Sequence, residues 1–146
     1  MAKLARDLMT IDPACCSLDT TLDQIARLMI ANDCGEIPVV DSSDRPIGVV
    51  TDRDIVCRIV ARGYNPAINT AESCMTTPVQ TVSLDAPLAD VMALMEKRQI
   101  RRIPVVDDDG CCMGIISQAD LAVMAAPRQA AELLSEISRD TGRPSQ

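Results

Sequence analysis

Two short segments of the chain place a hydroxyl and a carboxylate three residues apart, directly after an apolar run. Thr51 and Asp54 follow one run, and Ser117 and Asp120 follow the other. At a strand-to-helix junction this spacing is typical of a capping box, in which the acid binds the amide of the capping residue. The same groups could instead bind a ligand, because helix amides attract phosphate and a carboxylate accepts hydrogen bonds from a ribose diol. The residues alone leave both alternatives open.

Both junctions lie inside an internal duplication of the chain. A shift of 66 residues aligns the second half with the first half without a gap. The segment Ile-Pro-Val-Val-Asp at 37–41 then falls on the same five residues at 103–107, and Gly48 falls on Gly114. Most of the remaining core positions exchange one aliphatic residue for another, so duplication is the simplest explanation.

Within each copy, the apolar periodicity predicts the order strand, helix, strand, strand, helix. Apolar residues at i, i+3, i+4 and i+7 from Leu22, and again from Leu88, predict a helix with one buried face. Ser17 and Ser83 are the expected entry residues of these helices, and the later strands are expected to pair as hairpins. The remaining expected elements are short first strands at 14–16 and 79–82, hairpin strands from Ile37 and Ile103 and at 47–50 and 113–116, and closing helices at 52–62 and 118–126.

The sequence therefore predicts an α/β fold of the α+β type, made of two copies of one β-α-β-β-α unit. One copy alone would bury too little apolar surface to be stable, so we expect the copies to pack against each other. We place the first repeat at 1–62, a linker at 63–70, the second repeat at 71–126, and a C-terminal helix and tail at 127–146.

The composition argues against several classes of function. A net charge of −7 disfavours non-specific nucleic-acid binding, and no apolar stretch is long enough to cross a membrane, so we expect a cytoplasmic protein. The chain has no histidine and no Cys-x-x-Cys pair, so we expect no metal site, no required cofactor and no catalytic residues. The seven cysteines are expected to be reduced, although the pairs Cys15-Cys16 and Cys111-Cys112 leave a redox role open.

The duplicated motifs, taken together and in order, resemble the paired CBS (cystathionine-β-synthase) domain, or Bateman module. The resemblance covers residues 3 to 126 and rests on the Met-Thr, Ile-Pro-Val-Val-Asp and Gly-apolar-apolar-Thr/Ser-x-x-Asp motifs, each present twice. It implies a tandem pair with pseudo-twofold symmetry that binds an adenosine-containing ligand, such as AMP, ADP, ATP, NAD or S-adenosylmethionine, between the copies. Such a module would serve energy sensing and signal transduction, with the adenine nucleotide as a regulatory ligand and a conformational change passed to an effector protein.

The resemblance also implies roles for individual residues. Asp54 and Asp120 would bind ribose hydroxyls, while Thr51 and Ser117 would face phosphate or ribose. The other implied ligand-binding residues are Thr77, Val79, Ile37, Pro38, Ile103 and Pro104 around the base, and Arg53, Arg101 and Arg102 near phosphate. Arg58 could also turn towards the tail of the ligand. The second copy looks better suited to phosphate, since Gly35 and Glu36 stand in the first copy where the second has Arg101 and Arg102.

A second reading of the same motifs is a ligand-free interaction module in which the Thr/Ser-x-x-Asp segments are only helix caps. In either case the helix faces left apolar after the copies pair are expected to be covered by another chain, which predicts a homodimer.

Overall fold

In the computed structural model, residues 3–124 are described, so the expected C-terminal helix and tail at 127–146 lie outside the described residues. The helices are α1 Ala5–Leu8, α2 Leu22–Asn32, α3 Asp52–Ile55, α4 Ala71–Cys74, α5 Leu88–Arg98 and α6 Gln118–Met124. The strands are β1 Thr10–Ile11, β2 Glu36–Val40, β3 Pro46–Thr51, β4 Val82–Ser83, β5 Arg102–Val106 and β6 Cys112–Ser117. Helix α3 continues directly as a π-helical segment, Val56–Val60.

The chain forms two compact units whose segments are not continuous in sequence. The first-repeat unit contains residues 13–80 and 109–112, and the second-repeat unit contains residues 3–12, 81–108 and 113–124 of the described chain. The short helix that begins each repeat therefore belongs to the unit formed by the body of the other repeat. Helix α1 packs with the body of the second repeat, and α4, its equivalent after the 66-residue shift, packs with the body of the first.

In the first-repeat unit, β2 and β3 form the expected antiparallel hairpin. Val39 pairs with Gly48, and a bulge follows between Val39 and Val40. Two isolated bridges extend the hairpin on its outer edges, where Cys16 lies beside Val39 and Thr76 lies beside Val49. The unit thus gains sheet contacts from segments on both sides of the hairpin in sequence.

The cores follow the predicted apolar stripes. In the first-repeat unit, α2 buries Leu22, Ile25 and Met29 in one cluster with the hairpin side chains Ile37 and Val50. Each of these is a position that the helix or strand period assigns to the inside. Burial of this apolar face, more than helix propensity, stabilises the 11-residue helix α2.

The second-repeat unit carries a mixed four-stranded sheet in the order β1-β6-β5-β4. Strand β4 runs parallel to β5, and β1 runs antiparallel to β6 with Thr10 opposite Ile115. Helix α5 supplies Val91, Met92 and Met95 to the core of this unit. Strands β5 and β6 are neighbours, as the sequence predicted for the second hairpin.

The predicted entry residues of the long helices are wrong. Helix α2 begins at Leu22 after Thr21, because Ser17 is held in a turn where its amide and carbonyl both bind Thr20. The Leu22 amide binds the carbonyls of Pro66 and Asn69 instead of a capping side chain. Similarly, α5 begins at Leu88 and not at Ser83, and the Leu88 amide binds the carbonyl of Lys3. Carbonyls distant in sequence replace the local caps.

The first strands are also shorter than predicted. Residues 14–16 contribute only the bridge at Cys16, and the strand expected at 79–82 is reduced to β4. Strand β1 and helices α1 and α4 carry too few residues to show a period, so the sequence reading missed them. Within residues 3–124, no helix combines the length and the apolar character that a membrane crossing requires.

Candidate functional site

The first hydroxyl and carboxylate pair forms a complete capping box at the end of β3. The Asp54 amide donates to Oγ1 of Thr51 at 3.0 Å, and the Thr51 amide donates to Oδ2 of Asp54 at 3.0 Å. Both residues of the pair are therefore engaged at the start of α3, as the capping alternative requires.

The Asp54 carboxylate has two further partners. The Thr76 hydroxyl donates to it, lying 3.1 Å from Oδ2 and 3.2 Å from Oδ1, and Nε of Arg58 lies 3.8 Å from Oδ1. Asp54 is only 9% exposed, so these groups replace water around a buried charge. Both oxygens of the Asp54 carboxylate therefore have partners within the first-repeat unit.

Arg58 is positioned by the carbonyls that end α4. Its Nη1 donates to the carbonyl oxygens of Cys74 at 3.2 Å and Met75 at 3.3 Å. This nitrogen therefore binds the protein backbone, whereas the sequence suggested that Arg58 could turn towards the tail of a ligand. The Cys74 residue that Arg58 contacts carries a thiol whose pKa is raised, first by burial and then by the negative charge of Asp54.

Gly48 allows Thr76 to reach Asp54. Thr76 and Val49 exchange backbone hydrogen bonds of 2.7 and 3.1 Å. A Cβ on Gly48 would stand 2.9 Å from Sδ of Met75 and 3.0 Å from the Thr76 carbonyl oxygen, closer than side-chain carbons normally approach. A glycine at this position is therefore required for the close approach of the two segments.

The second junction repeats the capping box but not the surrounding groups. The Ser117 amide donates to Oδ2 of Asp120 at 3.0 Å, and the Asp120 amide donates to Oγ of Ser117 at 3.1 Å. Asp120 is partly exposed, and among residues 3–124 its Oδ1 has no hydrogen-bond partner. In the sequence, Met124 replaces the arginine that stands near the first carboxylate.

The two junctions also differ in charge at the start of the closing helix. In the second-repeat unit, the amide of Gln118 donates to the carbonyl of Arg101 at 2.8 Å, so this arginine lies beside the junction. At the equivalent place in the first-repeat unit, the Asp52 amide donates to the carbonyl of Gly35 at 2.9 Å. Asp52 of the first junction thus corresponds to the neutral Gln118 of the second, and Gly35 corresponds to the basic Arg101.

The remaining predicted site residues fall into three groups. The side chains of Ile37 and Ile103 are fully buried in the two cores, and Pro38 and Pro104 are buried beside them. Thr77 lies next to the first junction, with its methyl 3.1 Å from a Cβ placed on Gly48. The others are exposed or partly exposed: Arg53, Val79, Arg101 and Arg102.

The sequence reading missed Thr76 as a site residue, although its Met-Thr motif was one of the repeated signals. A residue so far along the chain gives no local sign that it will bind Asp54. Among residues 3–124, no cluster of three or more side chains is suited to hold a metal ion.

Comparison with known proteins identifies the fold and the family. The model of the CBS domain matches residues 5–61 and 71–125. Hypoxic response protein 1 of Mycobacterium tuberculosis is 34% identical over 118 residues, covering 81% of this chain and 82% of that protein. The uncharacterized protein MK0525 of Methanopyrus kandleri is 36% identical over 116 residues, which is 80% of this chain but only 57% of that protein.

Solved structures agree with the family match. A crystal structure of Hypoxic Response Protein I with two coordinated zinc ions superimposes with a TM-score of 0.78 at 32% identity, covering 85% of this chain and all of that chain. The CBS domain pair of protein MJ0100, in complex with 5′-methylthioadenosine and S-adenosyl-L-methionine, gives a TM-score of 0.77 at 26% identity and covers 88% and 99% of the two chains. With both repeats matched by the family model, the chain belongs to the CBS domain family and carries two copies of the domain.

Proposed function

We propose that the chain is a regulatory, non-catalytic module that binds an adenosine-containing ligand at the junction of Ser117 and Asp120. The observation that carries the proposal is the state of the Asp120 carboxylate, whose Oδ1 has no partner among the described residues. A carboxylate held through one oxygen can accept hydrogen bonds from a ribose diol with the other. The MJ0100 domain pair, which was solved with two adenosine derivatives, supports this class of ligand.

The charge around the second junction favours a ligand with phosphate groups. Arg101 lies beside the start of α6, and Arg102 opens β5 nearby. The first junction instead has Asp52 and Asp54 beside Arg53, and its other arginine, Arg58, is bound to Asp54 and to backbone carbonyls. We therefore propose AMP, ADP, ATP or NAD as preferred ligands over uncharged adenosine derivatives, with the signal passed to an effector protein by conformational change.

A thermal-shift and calorimetric titration panel tests the ligand. AMP, ADP, ATP, NAD, S-adenosylmethionine and 5′-methylthioadenosine should be compared at equal concentration. A ligand present at 100 times its Kd stabilises the native state by about 2.7 kcal/mol, which a melting curve resolves easily. Binding of 5′-methylthioadenosine but of no nucleotide would support an adenosine site and contradict the proposed role of the arginines in binding phosphate.

A matched pair of variants tests the location. Asp120→Asn keeps an oxygen for the Ser117 amide but removes the charge, so we expect the Kd to rise more than about tenfold. Asp54→Asn is the control and should leave the Kd within about twofold, because Asp54 is already bound by Thr76 and Arg58. Unchanged binding in Asp120→Asn would place the ligand elsewhere.

The second candidate function is a ligand-free interaction module, favoured by the complete capping boxes at both junctions. Failure of every compound in the panel to bind would support it.

We also propose a homodimer, since large apolar side chains of the first-repeat unit are strongly exposed, Ile30 by 82% and Val56 and Val60 by 56% each. Light scattering measures this directly, and a monomer would contradict it.

A further inference from the structure

A short turn brings cysteines from distant parts of the sequence together in the first-repeat unit. The turn after β2 is bound by residues 109–112, which belong to the same unit. The Cys112 amide donates to the Asp44 carbonyl at 2.8 Å, and the Cys111 thiol donates to the Ser43 carbonyl at 3.1 Å. Nε of Arg45 donates to the Asp109 carbonyl at 3.1 Å. Three bonds therefore fix the backbone that carries Cys112.

Cys15 lies beside the same hairpin, next to the bridge between Cys16 and Val39. Its neighbour Cys16 is fixed against β2, with its amide bound to the Pro38 carbonyl at 2.9 Å and its carbonyl bound to the Val40 amide at 2.8 Å. The Cys15 thiol lies 3.4 Å from the Pro13 carbonyl oxygen and is hydrogen-bonded to the side chain of Cys112. The thiols of Cys15 and Cys112 are therefore neighbours, each carried on backbone that is hydrogen-bonded to the same hairpin.

The vicinal partners of these two residues point elsewhere. Cys16 is 6% exposed and belongs to the hydrophobic core, whereas Cys111 directs its thiol to the Ser43 carbonyl. Consecutive side chains on extended backbone face opposite sides, so Cys15-Cys16 and Cys111-Cys112 are poorly placed to react internally. The pair in contact joins one member of each vicinal pair.

We propose that Cys15 and Cys112 are an oxidative modification site that closes to an intramolecular disulfide. All seven cysteines are thiols in the structure, and both members of the pair are partly exposed, which gives a small oxidant access. Hydrogen peroxide converts one thiol to a sulfenic acid with release of water. The second thiol then attacks that sulfur and a second water leaves, so one peroxide and two thiols give one disulfide and two waters.

The surroundings of the pair make it slow to react. The hydrogen bond to Cys112, then burial, then unfavourable electrostatic interactions with Cys112, Cys16 and Asp44 raise the pKa of the Cys15 thiol. The thiolate is the reactive form, so the pair stays reduced until a sustained oxidant is present. Cys57, which is exposed on the π-helical segment, should be modified first.

Peptide mapping of the full chain tests the proposal. A Cys57→Ser protein prevents disulfides between molecules through that exposed thiol. After peroxide treatment and digestion without reductant, mass spectrometry should find a peptide that links Cys15 to Cys112, with the intact protein lighter by two hydrogen atoms. Cys15→Ser or Cys112→Ser should abolish the link, and Cys111→Ser, the matched control, should keep it.

A second readout does not depend on how the variants fold. Oxidised protein with all its cysteines should lose alkylation at Cys15 and Cys112 together, and both should return after dithiothreitol. The link closes a long loop, so the melting temperature should rise by about 10 °C on oxidation. A link within either vicinal pair, dimers joined only through Cys57, or sulfinic acid without any link would overturn the proposal.

Discussion

The Thr76 hydroxyl lies 3.1 and 3.2 Å from the two carboxylate oxygens of Asp54, a residue 22 positions earlier in the chain. A hydrogen bond to a buried charge contributes more than a neutral one, so Thr76→Val should lower the free energy of unfolding by about 1–2 kcal/mol. Urea denaturation measures the change. Thr10→Val, at the equivalent position of the other copy, is the control and should change it by less than about 0.5 kcal/mol. Equal losses in both proteins would show that the Asp54 contact is not the cause.

Arg58 should stabilise the first-repeat unit mainly through the carbonyls that it binds. Its side chain is 48% exposed and its Nε lies 3.8 Å from Asp54, so the ion pair itself contributes little. Arg58→Met removes the bonds to the Cys74 and Met75 carbonyls and should cost about 1–2 kcal/mol of unfolding free energy. Arg53→Met, on the exposed side of α3, serves as the comparison and should have almost no effect.

Gly48→Ala should be destabilising because of a clash and not because of backbone strain. The new Cβ would meet the Thr76 carbonyl at 3.0 Å, so we expect a loss of about 1–3 kcal/mol in denaturant unfolding. Gly114→Ala should cost at least as much, since its Cβ would stand 2.8 Å from the Thr10 carbonyl oxygen. Gly63→Ala separates the two causes, because Gly63 has a φ of 77° and open space around it. A Gly48→Ala protein as stable as the unchanged protein would argue against the clash.

Asp41 should make stability fall in acid. The amides of Arg45 and Ser43, at 3.0 and 2.8 Å from its Oδ1, lower the pKa of this carboxyl from its usual 3.8. A carboxyl whose pKa is lower in the folded state stabilises the fold above the unfolded-state pKa, and this stabilisation is lost as the pH falls through the folded-state value. Melting temperatures of Asp41→Asn should therefore decline less steeply below about pH 4 than those of the unchanged protein. Asp108→Asn, an exposed acid outside this turn, should keep the original slope.

The sequence predicted what depends on local periodicity. The stripe from Leu22 and the alternation around Ile37 are repeated 66 residues later, and both lead to elements that the structure contains. The capping boxes were also predictable, because Thr51 and Asp54 are close enough to bind each other whatever the rest of the chain does.

Contacts that depend on distant segments were not predictable from one sequence. The start of α2 is set by the Pro66 and Asn69 carbonyls, and the Asp54 carboxylate accepts a hydrogen bond from the Thr76 hydroxyl. The sequence spacing of these groups carries no sign of their proximity. For the same reason, two similar Thr/Ser-x-x-Asp motifs gave no indication that one carboxylate would have partners at both oxygens while the other, among residues 3–124, is bound only through Oδ2.

The exchange of short leading segments between the compact units has a consequence for synthesis on the ribosome. Residues 3–12 are synthesised long before residues 81–108, which belong to the same unit. The first-repeat unit, for its part, is completed only by residues 109–112. Domains that are continuous in sequence fold one after another during translation, but here neither unit has all its parts before residues 109–112 have been made. During synthesis, residues 3–12 must therefore remain without their partner segments until residues 81–108 have been added.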